Sequence, residues 1–242
     1  SFTMPASALV TAINKTLFAT STDDLRPAMT GVFFELDKKG LQAVATDAHR
    51  LVRYKRTDVK CPKTDSFIAP RKPLSLLKAA IPFTDEEITV SYNSNHLFVK
   101  HGTTQMSCRL IDARFPDYKV VIPTDNPYKL TVNKNDFQSA LRRVSVFSNK
   151  STNQVALSIS GSELQLAAQD VDFSFEGNER MKCQYNGEDL MIAFNARFLI
   201  EMLSAAESDE INMELSTPTK AGIIKPTDLG ENEELLMLVM PL

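Results

Sequence analysis

The chain has 242 residues, of which 43% are hydrophobic and 24% charged, with a formal net charge of −3. These values are typical of a globular protein, and no apolar stretch approaches the roughly 20 residues that a membrane helix requires. The slight negative charge argues against a protein that coats nucleic acid through bulk charge. Three widely spaced cysteines, Cys61, Cys108 and Cys183, favour buried, reduced thiols in a cytoplasmic protein over a disulfide framework or a zinc site.

The first half of the chain predicts a strand, a helix and three strands, followed by the same set again. A proline at the first helical position and apolar residues at helical spacing predict a helix from about Pro5 to Thr20. Its inner face would carry Leu9, Ala12, Ile13 and Thr16. Strands are predicted near 2–4, 31–37, 40–46, 50–56, 67–69, 87–92, 96–101 and 104–111, and a second helix near 73–81.

The second half repeats this order after a linker around Pro116 to Pro127, where three prolines break any regular pattern. We place the domain boundary near Ile122. Helices are predicted near 135–148, with Phe137, Ala140, Leu141 and Val144 inward, and near 196–206, with Asn195 as the cap.

The two halves are related by a duplication. Residues 32–47 align with residues 155–170, so that Leu36 lies on Ile159 and Asp47 on Asp170, and the match resumes where 85–90 lies over 208–213. A repeat of this length indicates tandem domains, 1–122 and 123–242. The alternation of helices with strand triplets predicts an α+β fold in which each domain packs two helices on antiparallel sheets.

The copies differ just after the shared aspartate, where the first reads Ala48-His49-Arg50-Leu51 and the second reads Val171-Asp172-Phe173-Ser174. A difference between two copies of one unit marks something that the fold does not require. We therefore predict a functional site in this segment of the first half.

The predicted helices carry isolated cations among small residues, although the chain as a whole is acidic. Such a surface suits weak, sequence-independent contact with phosphates, because it offers few side chains that read base edges. Ordinary solvated helix faces would give the same charge pattern, so charge alone leaves both interpretations open.

The hexapeptide Thr46-Asp47-Ala48-His49-Arg50-Leu51, the later Phe115-Pro116-Asp117-Tyr118 and the terminal Met240-Pro241 resemble the signatures of the bacterial sliding clamp, the beta subunit of DNA polymerase III. The resemblance covers the second and third of that family's three domains, so each half is expected to be a DNA-clamp domain. It implies a non-catalytic processivity factor without a cofactor. In the family, a head-to-tail homodimer forms a six-domain ring around double-stranded DNA and binds it without sequence specificity.

The resemblance also implies two sets of site residues. A pocket would bind a QLxLF-type peptide of the replicative polymerase, the clamp loader and other partners, and by position it comprises Met29, Thr46, Ala48, His49, Arg50, Leu51, Pro116, Val120, Val121, Asn195, Phe198, Leu238, Val239 and Met240. Affinities near micromolar are expected, because a disordered peptide loses entropy when it binds. The cations expected to face DNA are Lys15, Arg71, Lys72, Lys78, Arg142, Arg143 and Arg197.

Two positions depart from the family pattern. Ala48 stands where glycine is usual, a change expected to add one methyl group with little effect, and Val120 stands where well-known members carry arginine. Three rival interpretations remain: a two-domain clamp subunit of a trimeric ring, as in eukaryotes and archaea; a hydrolase using Asp47 with His49; and a peptide-binding scaffold without DNA function. The two motifs favour the bacterial clamp over the first, and the lack of nucleophile, phosphate-loop and metal signatures argues against the second.

Overall fold

The computed structural model describes all residues from Ser1 to Leu242 and divides them into two compact units. Unit 1 comprises Ser1–Tyr118 together with Gly230–Leu235, and unit 2 comprises Lys119–Leu229 together with Leu236–Leu242. None of the helices is long and apolar enough to cross a membrane.

Unit 1 contains two helices and two antiparallel sheets, with strand orders β1-β6-β7-β8 and β4-β3-β2-β5. Its elements are, in chain order, β1 (Phe2–Pro5), α1 (Ala6–Thr16), β2 (Gly31–Asp37), β3 (Gly40–Thr46), β4 (Arg50–Arg56), β5 (Asp65–Pro70), α2 (Arg71–Ala80), β6 (Glu87–Tyr92), β7 (His96–His101) and β8 (Thr104–Arg109).

Unit 2 repeats the plan, with strand orders β12-β11-β10-β14 and β13-β9-β15-β16-β17. Its elements are β9 (Tyr128–Asn133), α3 (Lys134–Val144), β10 (Gln154–Ser160), β11 (Glu163–Asp170), β12 (Phe175–Lys182), β13 (Gln184–Tyr185), β14 (Leu190–Asn195), α4 (Ala196–Ala205), β15 (Glu210–Leu215), β16 (Gly222–Pro226) and β17 (Glu233–Val239), whose first residues belong to unit 1. The predicted α+β class with four helices on antiparallel sheets is confirmed.

Helix ends differ from the sequence prediction by a turn or less. Pro5 is the N-cap of α1 rather than its first residue, and α1 gives way after Thr16 to a 3-10 turn over Leu17–Ala19. Helix α2 begins at Arg71 instead of Pro73, because a proline is tolerated within a first turn, where its missing N–H has no partner to lose. The Asn195 cap is confirmed, since its side chain accepts hydrogen bonds from two backbone N–H groups.

The inner helix faces predicted from periodicity are buried in both units. Phe137 and Leu141 on α3 and Ile13 on α1 are fully enclosed. Helix α1 is buried on almost every side, a pattern typical of an interior helix. As a result Lys15, which the periodicity places on the solvent face, is only 3% exposed.

The segment Gly230–Leu235 is held to unit 1 by polar contacts at the end of β4. Tyr54 is fully buried, and its hydroxyl donates to the Glu233 carboxylate. Arg56 donates to the same carboxylate at 3.1 Å and binds Asp58 through two further hydrogen bonds. The backbone N–H of Thr57 donates to the Asn232 carbonyl at 3.0 Å.

The three cysteines are free thiols, and Cys61 and Cys183 are buried as predicted, whereas Cys108 is half-buried. Burial raises the pKa of each thiol, and that of Cys61 to about 11. Because the thiolate is the reactive form, these cysteines are poor nucleophiles near neutral pH.

Candidate functional site

The turn between β3 and β4, which the sequence singles out, is organised by the Asp47 side chain. One carboxylate oxygen accepts hydrogen bonds from the backbone N–H groups of His49 and Arg50, both at 3.0 Å. The other oxygen accepts from Arg50 Nε at 3.0 Å. Asp47 therefore fixes the backbone of the turn, which is a structural role for this carboxylate.

Arg50 is 7% exposed and extends this turn into the body of unit 1. Its guanidinium donates to the Phe18 carbonyl at 2.9 Å and lies 5.4 Å from the centre of the Phe18 ring. The Arg50 side chain thus forms an ion pair with Asp47, a hydrogen bond to a backbone carbonyl and a cation–π contact. Arg50 is a positioning residue that anchors the start of β4.

Ala48 lies at the tip of this turn with a backbone φ of 77°. This left-handed region is costly for a residue with a Cβ atom and free for glycine. The sequence predicts little effect from alanine at this position, but the structure shows that the added methyl group makes the turn strained.

The other candidate residues of unit 1 differ in exposure. Thr46 and Leu51 are 6% and 2% exposed, and the Thr46 hydroxyl donates to the Arg50 carbonyl at 2.7 Å. Met29 is half-buried in a 3-10 turn, whereas His49 and Pro116 are exposed. The surface around the turn is therefore a mixture of accessible and enclosed side chains.

In unit 2 the candidate residues belong to three segments. Asn195 caps α4 by accepting from the N–H groups of Arg197 and Phe198 at 3.0 and 3.4 Å. Leu238 and Val239 are buried within β17, and Met240, just beyond its end, is 41% exposed. Val120 and Val121 expose 76% and 52% of their surface. Met240, Val120 and Val121 are thus the accessible apolar members of the set.

The cations expected to face DNA are mostly exposed. Arg71, Lys72 and Lys78 are exposed on α2, and Lys78 Nζ donates to Asn14 on the neighbouring α1 at 3.1 Å. Because Lys15 is buried, its ammonium cannot contact phosphates from the surface of α1, and it is removed from the set.

In unit 2, Arg142 and Arg197 are exposed on their helices. Arg143 is also exposed, but it forms a two-point ion pair with Glu179, with nitrogen–oxygen distances of 2.9 and 2.5 Å. The Arg143 guanidinium lowers the pKa of Glu179, and the carboxylate raises the pKa of Arg143. Arg143 must break this pair to reach a phosphate, whereas Arg142 need not.

Sequence reasoning missed an exposed apolar cluster in unit 2, which we call the edge cluster. It lies beside β12, the last strand of its sheet, and the rings of Phe173 and Phe175 stack within it at 6.1 Å. Its members expose between 38% and 78% of their surface and are Val146, Phe147, Val171, Phe173 and Phe175. The alternation of phenylalanine with polar residues at 173–176 was the available signal. No group of three or more His, Cys, Asp or Glu side chains is placed to hold a metal ion.

Comparison with known proteins accounts for both units. Residues 3–117 match the family model of the DNA polymerase III beta subunit, central domain, and residues 119–242 match that of its C-terminal domain. The chain is 31% identical over 247 residues to the beta sliding clamp of Synechococcus elongatus and 29% identical over 236 residues to that of Haemophilus influenzae. It covers 64% of each, which is less than two thirds of their length.

Solved structures show the same similarity. The crystal structure of the DNA polymerase III beta subunit of Thermotoga maritima is 30% identical to this chain, with a TM-score of 0.91. The match covers the whole of this chain and 65% of the Thermotoga chain. The sliding clamp of Pseudomonas aeruginosa, solved with bound griselimycin, has 25% identity and a TM-score of 0.93 over 64% of its length.

Both units are thus domains of the sliding-clamp type. The chain belongs to the DNA polymerase III beta subunit family and corresponds to its central and C-terminal domains. The match favours the bacterial type indicated by the two sequence motifs over the two-domain clamps of eukaryotes and archaea.

Proposed function

We propose that this chain is the part of a sliding clamp that carries DNA-facing helices and a partner-peptide site, and that it acts within a ring enclosing duplex DNA. The match of both units to successive beta-subunit domains is the observation that carries this proposal. A ring tethers the replicative polymerase by topology, so its contacts with DNA need only be weak. The exposed cations among small residues on α2, α3 and α4 fit such contacts.

We propose a non-catalytic role in the cytoplasm, where the clamp would act in DNA replication. The hydrolase hypothesis required Asp47 to work with His49 as a relay. In the structure the Asp47 carboxylate is occupied by two backbone N–H groups and by Arg50, so its contacts are those of a turn-forming residue.

We propose that the intact subunit closes head to tail with a second copy and that unit 2 contributes the edge cluster to the junction. Strand β12 is the last strand of its sheet and offers backbone groups for pairing. Exposed apolar side chains beside such an edge are typical of a surface that another protein covers. The five side chains of the edge cluster meet this description.

We propose that QLxLF-type peptides of the polymerase and the clamp loader bind the candidate residues of both units. Met240, Val120 and Val121 offer exposed apolar surface in unit 2, while in unit 1 His49 is exposed in the ordered turn and Met29 is half-buried. Arg50 and Asn195 already hold their own backbones, so they would act by positioning neighbours. Apolar side chains of a short peptide fit such a surface, with polar groups fixing its orientation.

The test is the affinity of a labelled QLxLF peptide for the 242-residue chain, measured by fluorescence anisotropy. Met240→Ala is expected to weaken binding by about 1–2 kcal/mol, a usual cost of truncating an interface anchor. Leu51→Ala is expected to weaken it similarly, with circular dichroism checking the fold because Leu51 is buried. Met191→Ala, which truncates an exposed methionine outside the set, is the matched control. Unchanged affinity in both Met240→Ala and Leu51→Ala would exclude the site.

A further inference from the structure

The sheet of unit 2 carries an open depression on the face that points away from its helices. Helix α3 packs on β11 and β12, and the β11 side chains on that face, such as Leu164 and Leu166, are buried. Alternate residues point to the opposite face. There, a depression of about 460 Å³ has Ala156 and Ala167 at its floor, and Gln165, Gln169 and Asn178 around them.

In unit 1 the corresponding face is covered by the chain itself. The Phe115 ring stacks on Phe33, with centroids 4.6 Å apart and planes within 7°. Three residues later, Tyr118 donates to the Glu35 carboxylate and accepts from Gln42 Nε2 at 3.1 Å. The segment 115–118, called the cover segment below, therefore lies across β2 and β3.

The duplication makes these two faces directly comparable. Phe33 pairs with Val44 across β2 and β3, and Ala156 pairs with Ala167 at the equivalent place across β10 and β11. Likewise Glu35 pairs with Gln42, and Ser158 pairs with Gln165. The depression of unit 2 thus occupies the place that the cover segment fills in unit 1.

Two features distinguish the uncovered face of unit 2 from an ordinary solvent-exposed face of a sheet. Alanines replace Phe33 and Val44, which leaves room for a ring at the floor. The glutamine is retained, but the Gln165 side chain has no hydrogen-bond partner, whereas Gln42 bonds both Glu35 and Tyr118. The depression therefore contains Gln165, the equivalent of the glutamine that bonds the Tyr118 hydroxyl in unit 1. It also has room for an aromatic side chain.

The negative charge of the depression indicates which side chains a bound segment should carry. Asp172 and Glu176 are among the residues that line it, and no lysine or arginine is. Neither carboxylate forms an ion pair in the structure. A cationic side chain on the occupant would complement them.

We propose that this depression is a docking site for an extended segment of a partner protein that carries an aromatic side chain and a neighbouring arginine or lysine. The segment lies across β10 and β11 as the cover segment lies across β2 and β3. Its ring fills the space over Ala156 and Ala167, and Gln165 bonds its polar groups. This site shares no residue with the peptide set or the DNA-facing cations proposed above, and it shares only Val171 with the edge cluster.

The test uses a labelled synthetic peptide with the sequence of residues 112–118, Asp-Ala-Arg-Phe-Pro-Asp-Tyr, added in trans to the 242-residue chain. Amide chemical shifts are expected to move at Ala156, Gln165, Ala167 and Asn178. Replacing phenylalanine by alanine in the peptide is expected to weaken binding about tenfold, the usual scale for losing one buried apolar anchor.

Variants of the chain complete the test. Ala167→Phe fills the floor and Glu176→Lys reverses a rim charge, and each is expected to weaken binding by about tenfold. Gln165→Ala should weaken it less, whereas Gln184→Ala, which truncates an exposed glutamine on β13, should leave it unchanged. The proposal is overturned if shifts move at Phe33 and Gln42 instead, if Ala167→Phe and Glu176→Lys bind the peptide normally, or if no shift appears at about 1 mM peptide.

Discussion

Ala48 stores strain at the tip of the β3–β4 turn. Its φ of 77° costs an L-residue about 1–2 kcal/mol, while glycine pays a smaller entropic cost on folding. We therefore expect Ala48→Gly to raise the free energy of unfolding by about 0.5–1 kcal/mol. Urea denaturation of the two proteins measures the difference.

The matched control for this substitution is Ala79→Gly in the last turn of α2. Ala79 is exposed and helical, and glycine at such a position is expected to lower stability, by up to about 1 kcal/mol. Opposite signs for the two alanine-to-glycine changes are the expected result. A loss of stability in both would mean that the backbone at Ala48 is not strained.

At the level of single residues, the sequence predicts those features that depend only on neighbouring residues along the chain. The Asn195 cap and the inward positions of α3 follow from residue type and helical spacing, and both are confirmed. The burial of Lys15 could not be predicted, because it depends on how many neighbours pack around α1. The same holds for Arg50, whose partner Phe18 lies 32 positions away.

Helix α3 carries two adjacent arginines in different electrostatic states. Arg142 is exposed, and Arg143 is held by Glu179. Because counterion release follows from phosphate contacts, we expect Arg142→Ala to lower duplex DNA affinity and to reduce the slope of log K against log salt by about 0.9. Arg143→Ala should change that slope less, since its charge is already paired.

This comparison requires binding isotherms of the chain with duplex DNA between about 50 and 200 mM salt. Glu179→Gln provides the reciprocal variant, because it frees Arg143 and should steepen the slope. Equal effects of Arg142→Ala and Arg143→Ala would show that the pair with Glu179 opens at no cost when DNA binds.

The contact between Tyr54 and Glu233 joins residues 179 positions apart in the chain. Burial and this hydrogen bond raise the pKa of Tyr54, so the phenol remains a donor even at a pH above the ordinary tyrosine pKa of about 10. We expect Tyr54→Phe to lower the free energy of unfolding by about 1.5–3 kcal/mol, the range for hydrogen bonds to charged groups. Hydrogen exchange of the Thr57 amide, which donates to Asn232, should accelerate in the same variant.

Tyr185→Phe is the control for this prediction. The Tyr185 hydroxyl donates to the Glu188 carbonyl within unit 2, three residues away and in an exposed position. Its loss should cost less stability and leave exchange at Thr57 unchanged. Similar effects of the two substitutions would mean that the Tyr54 hydroxyl does not hold the segment Gly230–Leu235.

For the whole molecule, the duplication visible in the sequence predicts two similar units and the order of their elements. It does not predict that Gly230–Leu235 belongs to unit 1, because hydrophobic periodicity reports only which face of a local element is buried. Contacts such as that between Arg56 and Glu233 depend on tertiary packing. The sequence likewise predicts a linker from Pro116 onward and not a segment packed on the sheet, since the partners of the cover segment on β2 and β3 lie far away in sequence.

The membership of Gly230–Leu235 in unit 1 has a consequence for how the protein is made. A ribosome releases residues in order from the N-terminus, at about 5–20 residues per second. Tyr54 and Arg56 therefore emerge long before Glu233, and the nascent unit 1 lacks the carboxylate that both side chains bond throughout the synthesis of Lys119–Leu229. Final consolidation of unit 1 is thus coupled to translation of a segment that follows the whole of Lys119–Leu229.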